Sequence, residues 1–298
     1  MTASAASPLI ALESVVIDTE TTGLDVRADR IIQLGGVRMN GADIELADAF
    51  DAVVDPGVAI PAASSRVHGL TDADMAGKPN LAQIIPTFST FIGERIVIGH
   101  SIHFDLAMLR HESIRQGYAW TQPRAFDVAL IAAGLEPGLV DTSLESLAVG
   151  LGVELSGRHT AIGDALTTAR VFAALQPRLL AAGVRTVGEL ESLCRKPSGL
   201  IAHQESAGWY DSAGKRPDFA LGRAPQRRPA RDRQFSLSQP AVGCHGAPAD
   251  RRPAGCEPPG RGKGDGRSRY RLRVHRFRRR RARHPHGARP AARPCKRR

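Results

Sequence analysis

Two carboxylates at the end of an apolar strand are the side chains of this chain best placed to do chemistry. Val15, Val16 and Ile17 are followed by Asp18 and Glu20. Side chains two residues apart project from the same face of a strand, so these carboxylates should lie side by side. Their repulsion would raise one pKa unless a cation neutralised them, and hard divalent ions such as Mg²⁺ or Mn²⁺ prefer oxygen ligands. Taken alone, the pair fits a polar strand end leading into a turn equally well.

Two later motifs add acidic and histidine side chains in an ordered series. GHSIHFDL places Asp105 near the start of a predicted helix, and HTAIGD places His159 five residues before Asp164. Each has an ordinary interpretation on its own: Asp105 could complement a helix dipole, and the others could be a loop histidine and a surface aspartate. Their occurrence together, in this order, favours one shared metal site.

The three motifs resemble those of the DEDDh (DnaQ-like) 3′→5′ exonucleases, a family that includes the proofreading subunit of bacterial DNA polymerase III, RNase T and oligoribonuclease. The resemblance implies a ribonuclease-H-like fold and two divalent metal ions, Mg or Mn. It also implies that His159 is the general base that takes a proton from the attacking water. The metal ligands that it implies are Asp18, Glu20, Asp105 and Asp164, which also makes these four residues catalytic.

The same resemblance implies contacts with the 3′-terminal nucleotide. The implied substrate-binding residues are Thr21, Thr22, Leu24, His68 and Phe104. The segment around His68 is equally typical of an ordinary turn. Asp127 stands where relatives often carry an aspartate near the site, although a helix-capping role is as compatible with its position. Ser101 departs from the family pattern, in which many members carry asparagine, and we interpret it as a variation.

Hydrophobic patterning predicts an α/β domain: a three-layer fold with a mixed, mostly five-stranded sheet. The predicted strands cover residues 9–17, 30–39, 44–54, 95–99 and 125–128, and residues 65–71 are predicted as a loop. The predicted helices cover about 80–92, 105–116, 142–151, 159–180 and 186–194. Capping boxes are expected at three of their starts, with the pairs Asn80 and Gln83, Thr142 and Glu145, and Thr186 and Glu189.

The chain divides into an acidic part and a basic part. Residues 1–210 hold 24 acidic and 15 basic side chains, a net charge of −9, whereas residues 211–298 hold 6 acidic and 26 basic ones, a net charge of +20. We predict an exonuclease domain over residues 1–182 and a short helical docking extension over 183–221, suggested by His203, Trp209, Tyr210 and Phe219. The Arg/Pro/Gly/Ala-rich tail, 222–298, is predicted to be disordered and to bind nucleic acid in a salt-sensitive way. Translation out of frame is an equal alternative for the tail, in which case a different C-terminal domain has been lost.

Composition also excludes several classes of protein. The four cysteines form no C-x-x-C pair, which argues against a zinc site or a disulfide framework and favours a cytoplasmic location. The first residues lack the basic and apolar regions of a signal peptide. No run of about 18 apolar residues is present, so we expect no membrane span.

The resulting prediction is a metal-dependent 3′→5′ exonuclease that releases nucleoside 5′-monophosphates from a single-stranded 3′ end. DNA is favoured over RNA as substrate, in a proofreading or repair role, and a DNA polymerase is a possible partner. Trimming of RNA or short oligonucleotides is the alternative within this class. A non-catalytic nucleic-acid-binding protein is the alternative from another class, although the complete set of acidic residues argues against it.

Overall fold

The computed structural model describes residues 3–209. Its strands are β1 (Glu13–Thr21), β2 (Ile31–Asn40), β3 (Asp43–Val53), β4 (Ile96–Gly99) and β5 (Ala125–Asp127). Its helices are α1 (Ala62–His68), α2 (Asp72–Met75), α3 (Leu81–Ile92), α4 (Ile102–Gln116), α5 (Val128–Leu135), α6 (Leu144–Leu151), α7 (Ala161–Ala181), α8 (Val187–Cys194) and α9 (Ser198–Ser206). Within this part of the chain, no helix is both long enough and apolar enough to cross a membrane.

One mixed sheet organises the domain, with the strand order β3-β2-β1-β4-β5. β1, β2 and β3 form an antiparallel meander, while β4 and β5 run parallel to β1. The predicted mixed five-stranded sheet is therefore confirmed.

The first strand was predicted four residues too early, because the Leu9–Ala11 segment is a short 3₁₀ helix. Its apolar character reflects burial of Leu9, whose N–H donates to the carbonyl of Arg185, and not strand pairing.

The alternation of side chains along β1 divides the core into two layers. Val15 and Ile17 pack with the helices α3 and α4 on one face of the sheet. Val16 packs on the other face with α5, α6, α7 and α8. Since alternation has a period of two, the even-numbered residues Asp18 and Glu20 continue the face of α7. The odd-numbered residues of β1 continue the face of α4.

Helix α7 lies unusually close to the sheet because small residues line the contact. Ala161, Ala165 and Ala169 are fully buried at helical spacing, and β2 presents Gly35 to the first of them. A Cβ atom at Gly35 would overlap the backbone of Ala161 and Ile162. The side chain of Gln33 adds a hydrogen bond of 3.2 Å from the Ala161 N–H to its Oε1. β2 therefore fixes the first turn of α7.

We expect Gly35→Ala to lower the free energy of unfolding by about 2 kcal/mol or more, because the added methyl group must push α7 away from β2. Gly150→Ala is the matched control, since nothing lies within 4 Å of the added Cβ in α6. This control should stabilise the protein by about 0.5–1 kcal/mol. Urea unfolding of both variants measures the difference, and equal effects would contradict the close packing of α7.

Two local predictions were wrong. Residues 65–71, predicted as a loop, include the end of helix α1, which has no apolar stripe to reveal it because His68 is its one buried side chain. The N-cap of α6 is Ser143, not Thr142, and its hydroxyl accepts a hydrogen bond from the Ser146 N–H. The capping boxes at the starts of α3 and α8 are confirmed.

The start of the predicted extension shares the core of the domain. Val187, Leu190 and Leu193 of α8 are buried in the same layer as α5 and α7. The division at residue 182 stays a prediction. The predicted tail, 222–298, and the aromatic residues Tyr210 and Phe219 lie outside the described residues.

Candidate active site

Three carboxylates meet where β1 ends and α7 begins. Oxygen atoms of Asp18, Glu20 and Asp164 all lie within 4.8 Å of one another, and all three side chains are partly buried. Asp18 and Glu20 share the α7 face of β1, as alternation requires, and Asp164 occupies the first turn of α7. The structure therefore brings together three of the four acidic residues that the sequence predicted as ligands.

The first turn of α7 is held by contacts that aim Asp164 at the sheet. The Thr160 hydroxyl caps the helix by accepting from the Gly163 N–H. A Cβ at Gly163 would overlap the carbonyl of Gly157, so glycine allows the preceding loop to fold over the helix start. That loop carries His159, whose N–H donates to Asp164 Oδ2 over 3.2 Å. The helix was predicted to start at residue 159, two residues before Ala161, where it begins. His159 lies just before the helix in a left-handed conformation with φ of 59°.

The electrostatics of this group favour a bound cation. Burial, followed by the charges of Asp105, Glu20 and Asp164, raises the pKa of Asp18 well above its usual value. Burial and the charges of Asp164 and Asp105 raise the pKa of Glu20 to about 7. Burial also raises the pKa of Asp164, against the positive charge of Arg158. Burial is the largest cause of each shift, so each carboxylate ionises less readily here than in water unless a cation is bound.

The donor set fits a hard divalent ion. Asp164 Oδ1 is buried and has no hydrogen-bond partner among the described residues. Carboxylate oxygens of Asp18, Glu20 and Asp164 that lie within 4.8 Å of one another suit the oxygen preference of Mg²⁺ or Mn²⁺. A cation here would neutralise the repulsion and satisfy the buried oxygen together.

Asp105 lies on the other face of β1. Its Oδ1 accepts a hydrogen bond of 2.6 Å from the hydroxyl of Thr19, and it stays outside the group of three oxygens. Asp105 therefore contacts the residue next to Asp18 and does not join the other three carboxylates. Thr19 is an odd-numbered residue of β1 and meets α4, which carries Asp105. The charge of Asp105 still contributes to the raised pKa of Asp18. Burial raises the pKa of Asp105 itself to about 7, although the hydrogen bond from Thr19 opposes this rise.

Arg158 is a charged residue of the site that the sequence did not reveal. Its guanidinium forms an ion pair with Glu145 and lies 3.1 Å from Nε2 of the neighbouring His159. Its charge also opposes the rise in the pKa values of Glu20 and Asp164 that burial causes. The sequence pattern could not predict the role of Arg158, because its partner Glu145 lies on α6 and contacts it only in the folded chain.

Three of the predicted substrate-binding residues, Thr21, Thr22 and Leu24, lie at or just after the end of β1. The Thr21 hydroxyl donates to the Gly23 carbonyl, and the Thr22 hydroxyl donates to Asp29, which the sequence did not single out. The carbonyl of Thr22 accepts from Ser64 of α1. Leu24 is 73% exposed, as a contact residue for a ligand would be. Helix α1 is thereby tied to the strand end that carries the acidic residues.

His68 and Phe104 belong to two helices, α1 and α4. His68 is buried at the end of α1; its Nδ1 accepts from the Leu70 N–H, and its Nε2 has no hydrogen-bond partner among residues 3–209. Burial, followed by the charge of His159, lowers the pKa of His68. Phe104 is partly buried on α4, where its ring meets that of Trp209.

Asp127 caps the start of α5 and does not belong to the group formed by Asp18, Glu20 and Asp164. Its Oδ1 accepts from the N–H of Ala129 at the start of α5 and from the N–H of Ser101 before α4. Burial would raise the pKa of Asp127, but the neighbouring side chain of His103, the charge of His100 and the hydrogen bond from Gln204 hold it below its usual value. Asp127 therefore joins the two turns that follow β4 and β5.

Ser101 occupies a conformation that its side chain disfavours. It has φ of 53° and ψ of 36°, and its hydroxyl makes no capping bond. Because asparagine tolerates this left-handed region better than serine, we expect Ser101→Asn to raise the free energy of unfolding by about 0.5–1 kcal/mol. Ser143→Asn is the control, since Ser143 caps α6 with extended geometry and the two residues cap equally well there. Urea unfolding that shows the same change in both variants would contradict strain at Ser101.

Comparison with known proteins agrees with this arrangement. The sequence model of the RNase_T family, described as exonuclease, matches residues 15–172. A DNA polymerase III subunit epsilon-like protein of Rhodobacter capsulatus is 37% identical over 202 residues, which cover 67% of this chain and 29% of that protein. The DNA polymerase III subunit epsilon of Aquifex aeolicus is 35% identical over 159 residues, which cover 53% of this chain and 77% of that protein.

A solved structure shares the fold. E. coli exonuclease I, in complex with a dT13 oligonucleotide, aligns with a TM-score of 0.50 and 18% identity, over 58% of this chain and 42% of that one. This likeness agrees with a ribonuclease-H-like fold. The chain spans less than a third of the Rhodobacter relative, although it spans most of the Aquifex one. With a family match that covers more than half of its residues, the chain belongs to the RNase_T exonuclease family.

Proposed function

We propose that this chain is a divalent-metal-dependent 3′→5′ exonuclease that removes nucleoside 5′-monophosphates from DNA in proofreading or repair. The observation that carries the proposal is the group formed by Asp18, Glu20 and Asp164, with its raised pKa values and its unpartnered buried oxygen. Membership of the exonuclease family supports the reaction class. The epsilon subunits among its relatives support DNA as the polymer and a DNA polymerase as the partner.

The carboxylates would hold two divalent ions, which supply Lewis-acid stabilisation of the charge that develops at phosphorus. Asp18 and Glu20 on β1 and Asp164 on α7 would bind them directly. Asp105, held by Thr19, would complete the ligand set from the α4 face. Binding of the ions also reverses the local charge, so that an acidic domain can accept a polyanion.

His159 would accept the proton of the attacking water. Histidine is the side chain that most often serves as a general base in enzymes. Its backbone N–H is fixed by Asp164, and its Nε2 lies beside Arg158. These two loop contacts support the assignment of His159 as the base. Thr21, Thr22 and Leu24 would bind the terminal nucleotide from the end of β1, with His68 and Phe104 on either side.

Digestion of labelled oligonucleotides tests the function. The full chain is incubated with single-stranded DNA or RNA labelled at either end, in Mg²⁺, Mn²⁺ or EDTA. We expect shortening from the 3′ end, dependent on metal, with nucleoside 5′-monophosphate as product and DNA cleaved faster than RNA. A 3′-blocked strand is the substrate control. Faster cleavage of RNA would assign the chain to RNA trimming instead, and binding without hydrolysis would assign it to the non-catalytic class.

A further inference from the structure

Helix α9 docks on the domain through a polar side chain. Gln204 is the one residue of α9 that is fully buried, with 1% of its surface exposed. Its Nε2 donates a hydrogen bond of 2.7 Å to Asp127 Oδ2. Most short surface helices dock through an apolar stripe, so a buried amide that reaches a buried carboxylate is a specific connection. The helix lies beyond the residues that match the exonuclease family.

The carboxylate of Asp127, which binds Gln204, also contacts the start of α4. Its Oδ1 accepts from the N–H of Ser101, 3.0 Å away, and its Oδ2 lies 3.9 Å from Nδ1 of His103. Ser101 is the left-handed residue that begins the turn into α4. Gln204 therefore acts on the conformation of this turn through one buried carboxylate.

A second contact from the same segment reaches the next residue of α4. Trp209 follows α9, and its N–H donates to the carbonyl of Gln204. Its ring meets the ring of Phe104 edge-on, with centroids 5.2 Å apart. The two contacts thus end on His103 and Phe104, which directly precede Asp105 in α4.

We propose that Gln204 and Trp209 are positioning residues of the nuclease site. Gln204, through Asp127, fixes the turn that aims Asp105, and Trp209 fixes the ring of Phe104 that borders the 3′-terminal nucleotide. The inference rests on the proposed function, because Asp105 and Phe104 matter only if that site acts on a nucleic-acid end. On this proposal, α9 and Trp209 help to position the residues of the catalytic site.

Three variants of the full chain separate the two roles. Gln204→Leu keeps the shape but removes the donor to Asp127. We expect kcat for a single-stranded DNA substrate to fall about tenfold, with KM changed less than about threefold, as for other residues that orient a metal ligand. Trp209→Leu should raise KM about tenfold with little change in kcat, because a base stacks less well on an unrestrained ring. Trp209→Phe, which keeps an aromatic partner for Phe104, should restore most of the loss.

Gln176→Leu is the matched control. Gln176 is also a buried glutamine, and its Nε2 has no partner among the described residues. It lies 12 residues along α7 from Asp164, about 18 Å at the rise of a helix. Its kcat and KM should match those of the wild type. Thermal unfolding of all variants shows whether a loss of activity results from a loss of stability alone.

Fluorescence gives a readout that does not depend on hydrolysis. The chain has two tryptophans, so Trp120→Phe leaves Trp209 as the single emitter. Adding dTMP with Mg²⁺ should change the Trp209 emission, because the product occupies the site beside Phe104. Unchanged emission, or kinetics of Gln204→Leu and Trp209→Leu equal to those of Gln176→Leu, would overturn the inference. A wild type that fails to digest DNA would overturn the proposed function instead.

Discussion

Asp18→Asn should remove exonuclease activity and, in metal-free buffer, should make the protein more stable. Loss of activity is expected to be at least about 10³-fold, because the ions that stabilise the transition state lose a central ligand. The gain in stability follows from the raised pKa of Asp18, whose burial and acidic neighbours make its charge unfavourable. Asparagine has nearly the same shape without the charge. Rates of 3′-end digestion and thermal unfolding in EDTA measure the two effects.

Two further variants make this result specific. Asp164→Asn should behave like Asp18→Asn, since it belongs to the same group of oxygens. Asp43→Asn is the matched control, because Asp43 is exposed at the start of β3; it should change neither activity nor stability. Full activity in Asp18→Asn would refute the assignment of the site, and a large loss of stability would show that Asp18 supports the fold.

The second large effect is that the metal-free protein should gain stability as the pH falls from about 8 to about 5. Burial and neighbouring charges raise the folded-state pKa values of Glu20 and Asp105 to about 7, and that of Asp18 is raised as well. Acids with raised pKa values bind protons more tightly in the folded state than in the unfolded one. The destabilisation is absent below the unfolded pKa values and grows as the pH rises, and the contribution of Glu20 and Asp105 is complete above about 7. Once the coupling among the groups is discounted, the change is on the order of 3 kcal/mol.

Metal should remove this pH dependence. Mn²⁺ or Mg²⁺ binds the ionised carboxylates and only the folded state arranges them, so the ions stabilise the protein most at high pH. Asp18→Asn should show a flatter profile in EDTA. Denaturant unfolding from pH 5 to pH 8, with metal and with EDTA, checks both expectations. Stability in EDTA that rises with pH over this range would contradict uncompensated charge in the site.

The sequence predicted those parts of the site that depend on local periodicity. Alternation along β1 placed Asp18 and Glu20 on one face, and five-residue spacing placed His159 and Asp164 at one helix start. The contact between Asp105 and Thr19 was not predicted. Alternation places Thr19 on the opposite face of β1 from Asp18, but it does not show which helix covers that face.

Other features depend on contacts that no local pattern encodes. Arg158 becomes part of the site only because α6 brings Glu145 to it. Gly35 and Gly163 appear in the sequence as ordinary glycines, yet each lies where two backbone segments approach too closely for a side chain. Helix α1 escaped prediction because it buries little apolar surface. These are all consequences of packing between elements far apart in the chain.

The most direct test of the central claim is calorimetric titration of the EDTA-treated full chain with Mn²⁺ in the presence of dTMP. The account predicts two bound ions per chain in the wild type, binding that is lost in Asp18→Asn, and binding that is unchanged in Asp43→Asn. A folded wild type that binds no Mn²⁺, or an Asp18→Asn variant that binds it as tightly as the wild type, would contradict the claim that these carboxylates form the metal site.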